Sequence, residues 1–120
     1  MDAPRSAEQR KTDTMTRLES DIDAWVATAD TAGNGYHLSR AGRVRVGVGA
    51  VRDVTMIDGT AQPVEDEETK DAFAAKHGWD PRTESGDYAY FRIVPDRVQA
   101  WRAVNELPGR ALMRDGNWLA

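Results

Sequence analysis

The sequence predicts a small, mostly β barrel with two short accessory helices and a C-terminal hairpin, and three observations predict it. Valines alternate with arginine and glycine through Arg43 to Val51 (RVRVGVGAV), the period-2 pattern of a strand with one face in a core. Turn-forming clusters such as Asp30-Thr-Ala-Gly33-Asn34-Gly35 and Asp58-Gly59 recur between short β-rich runs. Near the end, Asp115-Gly116 separates two short apolar stretches, the strongest short-range hairpin signal. At 120 residues the chain fits one domain, small enough that subunit association would bury useful extra surface.

In chain order, residues 1–12 are polar without apolar period and are expected to form a mobile tail. Thr12 or Asp13 caps a short helix through Ser20, with Met15, Leu18 and Ile22 at helical spacing. Ala24 to Ala29 (AWVATA) reads as a strand; Tyr36-His37-Leu38 starts a second, cut short by Ser39-Arg40-Ala41-Gly42. The strand at Arg43 to Val51 turns Val44, Val46 and Val48 inward. Arg52-Asp53 leads into Val54 to Val64, where Asp58-Gly59 offers a bulge or kink and Pro63 suits a strand end.

Glu65 to His77 reads as a helix. Glu65 or Asp66 caps it, Glu67 and Glu68 suit its positive end, Lys76 and His77 its negative end, and Gly78 stops it. Its expected buried face is Thr69, Ala72, Phe73 and Ala75. After Trp79-Asp80-Pro81, Tyr88 to Val94 and Arg97 to Trp101 read as two strands joined by a Pro95-Asp96 turn. The barrel domain then spans 13–104, and 105–120 forms a C-terminal hairpin docked on it.

Charge and composition exclude several functions. A formal net charge of -4 gives no general attraction to nucleic acid or anionic lipid, so neither is an expected partner. With no cysteine there is no disulfide framework, thiolate nucleophile or cysteine-ligated metal. The opening residues lack the apolar stretch of a secretory signal, and no later run is long enough to cross a bilayer; a cytoplasmic protein is the expectation.

The catalytic motifs are weak. Gly47-Val48-Gly49-Ala50-Val51-Arg52 begins like a dinucleotide fingerprint but has arginine in place of the third glycine and no helix after it. Its glycines are better explained by close approach of a neighbouring backbone, a partner subunit or a planar ring. His37 and His77 have no metal-ligand spacing, and no serine sits in a nucleophile elbow. Glu65 to Glu68 is explained by the helix dipole. Arg40, Arg43, Arg45 and Arg52 form one basic cluster, suited to phosphate or carboxylate but also to a protected, solvent-facing strand edge. Trp25, Trp79, Trp101 and Trp118 are expected as core or interface anchors.

Taken in order, several segments resemble the pyridoxamine-phosphate-oxidase-like split-barrel proteins. They are Trp25-Val-Ala-Thr28, the glycine turn with His37-Leu38, Gly42-Arg-Val-Arg-Val46, Asp58-Gly59-Thr60-Ala61, Lys76-His77-Gly78-Trp79-Asp80-Pro81, and Phe91-Arg-Ile-Val-Pro95-x-Arg97-Val-x-Ala-Trp101. The similarity runs from about Leu18 to Ala120. It implies a homodimer holding FMN or a deazaflavin coenzyme in clefts between subunits, with hydride passed to or from the flavin and no protein nucleophile.

The sequence departs from that family between Leu38 and Arg43, where only Ser39, Arg40, Ala41 and Gly42 replace a central hairpin and short helix. The resemblance therefore implies a shortened split β-barrel, with roughly two strands lost and an edge left to cover. It leaves Arg40 and Arg43 as candidates for the cofactor phosphate and Trp25, Thr28, His37 and Trp101 as candidates for the cleft wall. The alternative is a cofactor-free dimerising or interaction protein of the same lineage.

Overall fold

The computed structural model of the chain describes residues 2–20, 25–28, 42–85 and 88–120, with backbone alone at 25–28. The elements are α1 (Ala7–Ser20), β1 (Trp25–Thr28), β2 (Arg43–Ala50), β3 (Asp53–Val64), α2 (Glu67–His77), β4 (Tyr90–Trp101), β5 (Ala111–Arg114) and β6 (Asn117–Trp118). Single 3-10 turns lie at Pro81–Thr83 and Val104–Glu106. The strands form one antiparallel sheet in chain order, β1 to β6. Among the described residues this sheet is open: β1 and β6 are its edges, and no pairing closes it into a barrel. The expected strand at Tyr36-His37-Leu38 lies outside the described residues.

The alternation read in β2 holds. Val44 and Val48 are buried and Val46 is half-buried, while Arg43 and Arg45 are exposed. Antiparallel pairing carries that face across the sheet: Val46 stands opposite Ile57, and Ile57 opposite Val98. Ile57 and Val98 join Ala100, Leu112 and Met113 in the core, with Leu18 of α1 and Val46 packed against it. Leu112 is completely buried, so the C-terminal hairpin extends the sheet and fills its core. Its turn is the predicted one, with Asp115 and Gly116 both at positive φ (53° and 80°).

The bulge appears at the expected place, since the β3–β4 register shifts at Asp58/Gly59. Its partner residues correct the prediction for the other strand: Pro95-Asp96 makes no turn, and β4 runs unbroken from Tyr90 to Trp101. Asp58 faces Arg97 and Gly59 faces Pro95, so Asp96 is the extra residue of the bulge. A bulge tolerates a proline that lacks a ladder donor. Gly59 is required there, because a Cβ at this position would stand 2.3 Å from the Val94 carbonyl oxygen.

α1 begins at Ala7, not at Thr12 or Asp13, so residues 7–12 are not a mobile tail. Ser6 caps it, its Oγ accepting from the Gln9 N–H at 3.1 Å. The segment is held by polar contacts that carry no hydrophobic period. The Arg5 backbone N–H, Nε and Nη2 donate to the Glu106 carboxylate at 2.8, 3.1 and 2.8 Å, and the Arg102 N–H donates to it at 2.9 Å. Arg10, 4% exposed, donates through Nη1 to the carbonyls of Ala100, Glu106 and Gly109 at 3.3, 2.8 and 3.0 Å. Further along, Arg17 Nη1 donates to the Asp53 carbonyl at 2.8 Å. Gly49, at φ 100°, leaves room for both groups.

α2 has the predicted ends. Asp66 Oδ2 accepts from the Thr69 N–H at 2.9 Å, and Gly78, at φ 66°, donates its N–H to the Ala74 carbonyl at 3.0 Å. Its expected buried face needs correction, because Ala72 and Ala75 are exposed and no residue of the helix is fully buried. The helix turns Thr69 and Phe73 toward the sheet instead, where Phe73 meets Tyr90 edge-on at 5.5 Å.

The Arg5 hydrogen bond holds the Glu106 carboxyl at about 2, against the burial that pushes it up, compared with 4.5 for a free glutamate. A carboxyl depressed in the folded state adds stability that is present above the unfolded value and lost as pH falls through the folded one. Urea titrations should show on the order of 3 kcal/mol lost from this group as pH drops from 4.5 to about 2. Glu106→Gln should be less stable at neutral pH and should lack this part of the acid limb. An unchanged acid limb in that variant would contradict the assignment.

Candidate functional site

The helices share one face of the sheet, and the Lys76 ammonium joins them by donating to the Leu18 carbonyl at 2.8 Å. Between α2, the segment after it and the sheet lies a groove of about 360 Å³. Val46, Phe91 and Ile93 line its sheet side, and Thr69, Phe73, Trp79, Tyr88 and Tyr90 its other walls. β4 supplies Phe91 and Ile93 two positions apart on one face, and the bulge keeps that face continuous with Ala61 of β3. The apolar, aromatic lining and the volume, near the lower end for small-molecule sites, suit a planar ring.

The aromatic side chains form a connected set. Phe73 lies 4.3 Å from His77 and 6.4 Å from Trp79, and Trp79 meets Tyr88 edge-on at 5.6 Å. Trp79 stays 44% exposed, its Nε1 donating to Glu84 at 3.2 Å. One polar atom in this set has no partner: the Tyr90 hydroxyl is buried and makes no hydrogen bond within the described protein. A buried hydroxyl left unpaired costs free energy that a ligand can recover. Two cations stand at the rim, Lys70 with Nζ 5.4 Å from the Tyr90 ring and Arg92 with Nη2 3.4 Å from Thr69 Oγ1.

Of the residues proposed from the sequence, only Arg43 and Trp101 have described side chains, and those two stand apart. His37 and Arg40 lie outside the described residues. Trp25 and Thr28 lie on β1 opposite Gly47 and Val44, with their side chains outside the description. Arg43 is one position from the partner of Thr28, yet its guanidinium is held by both oxygens of Asp96. That contact raises the arginine and holds the Asp96 carboxyl below the usual carboxylate range. Arg45 is likewise paired with Asp58, at 2.6 and 3.2 Å. Trp101 faces Val54, which faces Gly49, so it lies six residues of β2 away from Arg43, about 20 Å along the strand.

Of the tryptophans expected as core or interface anchors, two are not in the core: Trp79 at the groove, and Trp118, 37% exposed beneath the Lys11 ammonium at 4.7 Å. The aromatic wall itself escaped the sequence reading. Its available signal was the density of aromatics at Tyr88, Tyr90 and Phe91, together with Phe73 and Trp79 on either side of the helix stop.

Among the described residues no cluster of histidine, aspartate and glutamate is placed to hold a metal, and no helix is long and apolar enough to cross a membrane. No family model matches the chain, and no curated protein is found similar to it.

Tyr90→Phe removes the unpaired hydroxyl while keeping the ring and its contacts. In chemical denaturation of the ligand-free protein, this variant should be more stable than the parent by about 1 kcal/mol or more. A loss of similar size would mean that the hydroxyl has a partner.

Proposed function

We propose that the chain is a flavin- or deazaflavin-binding protein of the pyridoxamine-phosphate-oxidase-like split-barrel lineage, working as a homodimer in hydride-transfer chemistry. The observation that carries this reading is the aromatic groove with the unpartnered Tyr90 hydroxyl. Phe73, Trp79, Tyr88 and Phe91 would pack on the ring, and Tyr90 would hydrogen-bond to a polar edge of it. The bound flavin supplies the redox chemistry, and the protein binds it, orients it and keeps water from its buried side.

The ring end of such a cofactor fits the residues present better than the phosphate end does. Arg43, one of the two candidates taken from the resemblance, already holds Asp96, and the other, Arg40, lies outside the described residues. Arg92 and Lys70 at the groove rim are the cations nearer the ring site, and Arg92 has no carboxylate partner among the described residues. The split-barrel assignment rests on the ordered segments of the sequence, with the open antiparallel sheet as the part of a barrel that supports it.

A second reading, the cofactor-free dimerising protein, is favoured by one observation: Arg43 and Arg45 both spend their charge on carboxylates of the same chain. A single titration separates the two. Riboflavin, FMN and a deazaflavin are added to purified protein while flavin fluorescence is followed. Saturable quenching is expected, weakened about tenfold in Tyr90→Phe, the upper range for one hydrogen bond. No quenching at high protein concentration would overturn the flavin reading and leave the cofactor-free one.

A further inference from the structure

The face of the sheet away from the two helices carries a cluster of arginines. Arg45, Asp58 and Arg97 stand in register across β2, β3 and β4, two arginines to one aspartate. Asp58 is taken up by Arg45 through two hydrogen bonds, which leaves Arg97 without a partner among the described residues. Arg110, from the loop after the Val104–Glu106 turn, and Arg114 of β5 join Arg97 around a pocket of about 290 Å³. None of the three has a carboxylate within 4.0 Å among the described residues, in a chain whose net charge is -4.

The hydrogen-bond inventory of the wall points the same way. Three of its carbonyls are already in use: that of Leu107 accepts from the Arg110 N–H and Nη1, that of Gly109 from Arg10, and that of Arg110 from the Ala100 N–H. Gln99, 8% exposed at the pocket, accepts from Arg110 Nε through its side-chain oxygen at 3.0 Å. Its side-chain nitrogen donates to nothing within the described protein, and the guanidinium groups of Arg97 and Arg114 are uncommitted. The side-chain groups left free are donors, three of the four donating residues are charged, and Gln99 holds Arg110 through its Nε.

We propose that this pocket binds a phosphate monoester, with Arg97, Arg110 and Arg114 holding the phosphate dianion, Gln99 donating a further hydrogen bond, and Leu107 and Pro108 flanking the organic group. Planar guanidinium forks match phosphate oxygens in pairs. The site is independent of the flavin reading. Val46, which lines the aromatic groove, belongs to the core face of the sheet, whereas Arg97 belongs to the opposite one.

Calorimetric titration with inorganic phosphate at constant ionic strength, chloride being the balancing anion, tests the proposal on the whole chain. Saturable binding is expected, weakened tenfold or more in Arg97→Gln and in Arg114→Gln, because each removes a charge-assisted bond. Arg52→Gln alters an exposed arginine in the turn between β2 and β3 and should bind as the parent does. All these side chains are exposed, so the variants should fold, and far-ultraviolet circular dichroism checks that they do. Absence of saturable binding by the parent would overturn the proposal. So would equal weakening in Arg52→Gln, which would mean that only the general field of the arginines is felt.

Discussion

Burial of the Arg5–Glu106 pair beside Arg10 is the constraint on which the arrangement of this chain depends. Glu106 is 3% exposed, and a carboxylate taken out of water this far is tolerable only when every oxygen is occupied by a donor. Arg5 and the Arg102 N–H supply those donors, and Arg10 caps three carbonyls of the same region. The result ties the start of α1 to the segment between β4 and β5, about a hundred residues away in sequence. α1 has few apolar residues with which to dock, so this polar clamp replaces the usual apolar stripe and brings Leu18 against the core.

Several features follow from placing α1 there. Arg17 reaches the turn between β2 and β3, and only glycine at position 49 leaves space for it. The end of α1 meets Lys76 of α2 on the same face. Because α2 lies above the sheet with no residue fully buried, a groove remains beneath it, walled by aromatics that would otherwise have formed a closed core. Among the described residues the opposite face has no helix over it and carries Arg45 of β2, Arg97 of β4 and Arg114 of β5. The two faces of one sheet thus offer different chemistry, apolar and aromatic on one and cationic on the other.

Much of this was legible in the sequence where the signal was local. The valine alternation of β2, the Asp66 and Gly78 caps, the bulge at Asp58/Gly59 and the Asp115-Gly116 turn each depend on residues within a few positions of one another. What the sequence hid was long-range. Arg5 and Arg10 look like solvated charges until Glu106 is brought to them, so only the first turns of α1, before Thr12, look like a tail. Pro95-Asp96 looks like a turn until Gly59 stands opposite and absorbs the extra residue. Arg43 looks like a free phosphate ligand until Asp96 is found at its guanidinium. The aromatic groove needs four separate segments to meet, and no local pattern announces that.

Whether an isoalloxazine-type ring occupies the groove under α2, as proposed, is read most directly from nuclear Overhauser contacts between ligand and protein. With riboflavin at saturating concentration, the account predicts contacts from the ring protons to Phe73, Tyr88 and Tyr90, with the Trp79 indole shifted and Trp101 unaffected. Ring contacts confined to Trp101 and the Gly47–Val51 end of the sheet would place the ligand elsewhere and contradict the account.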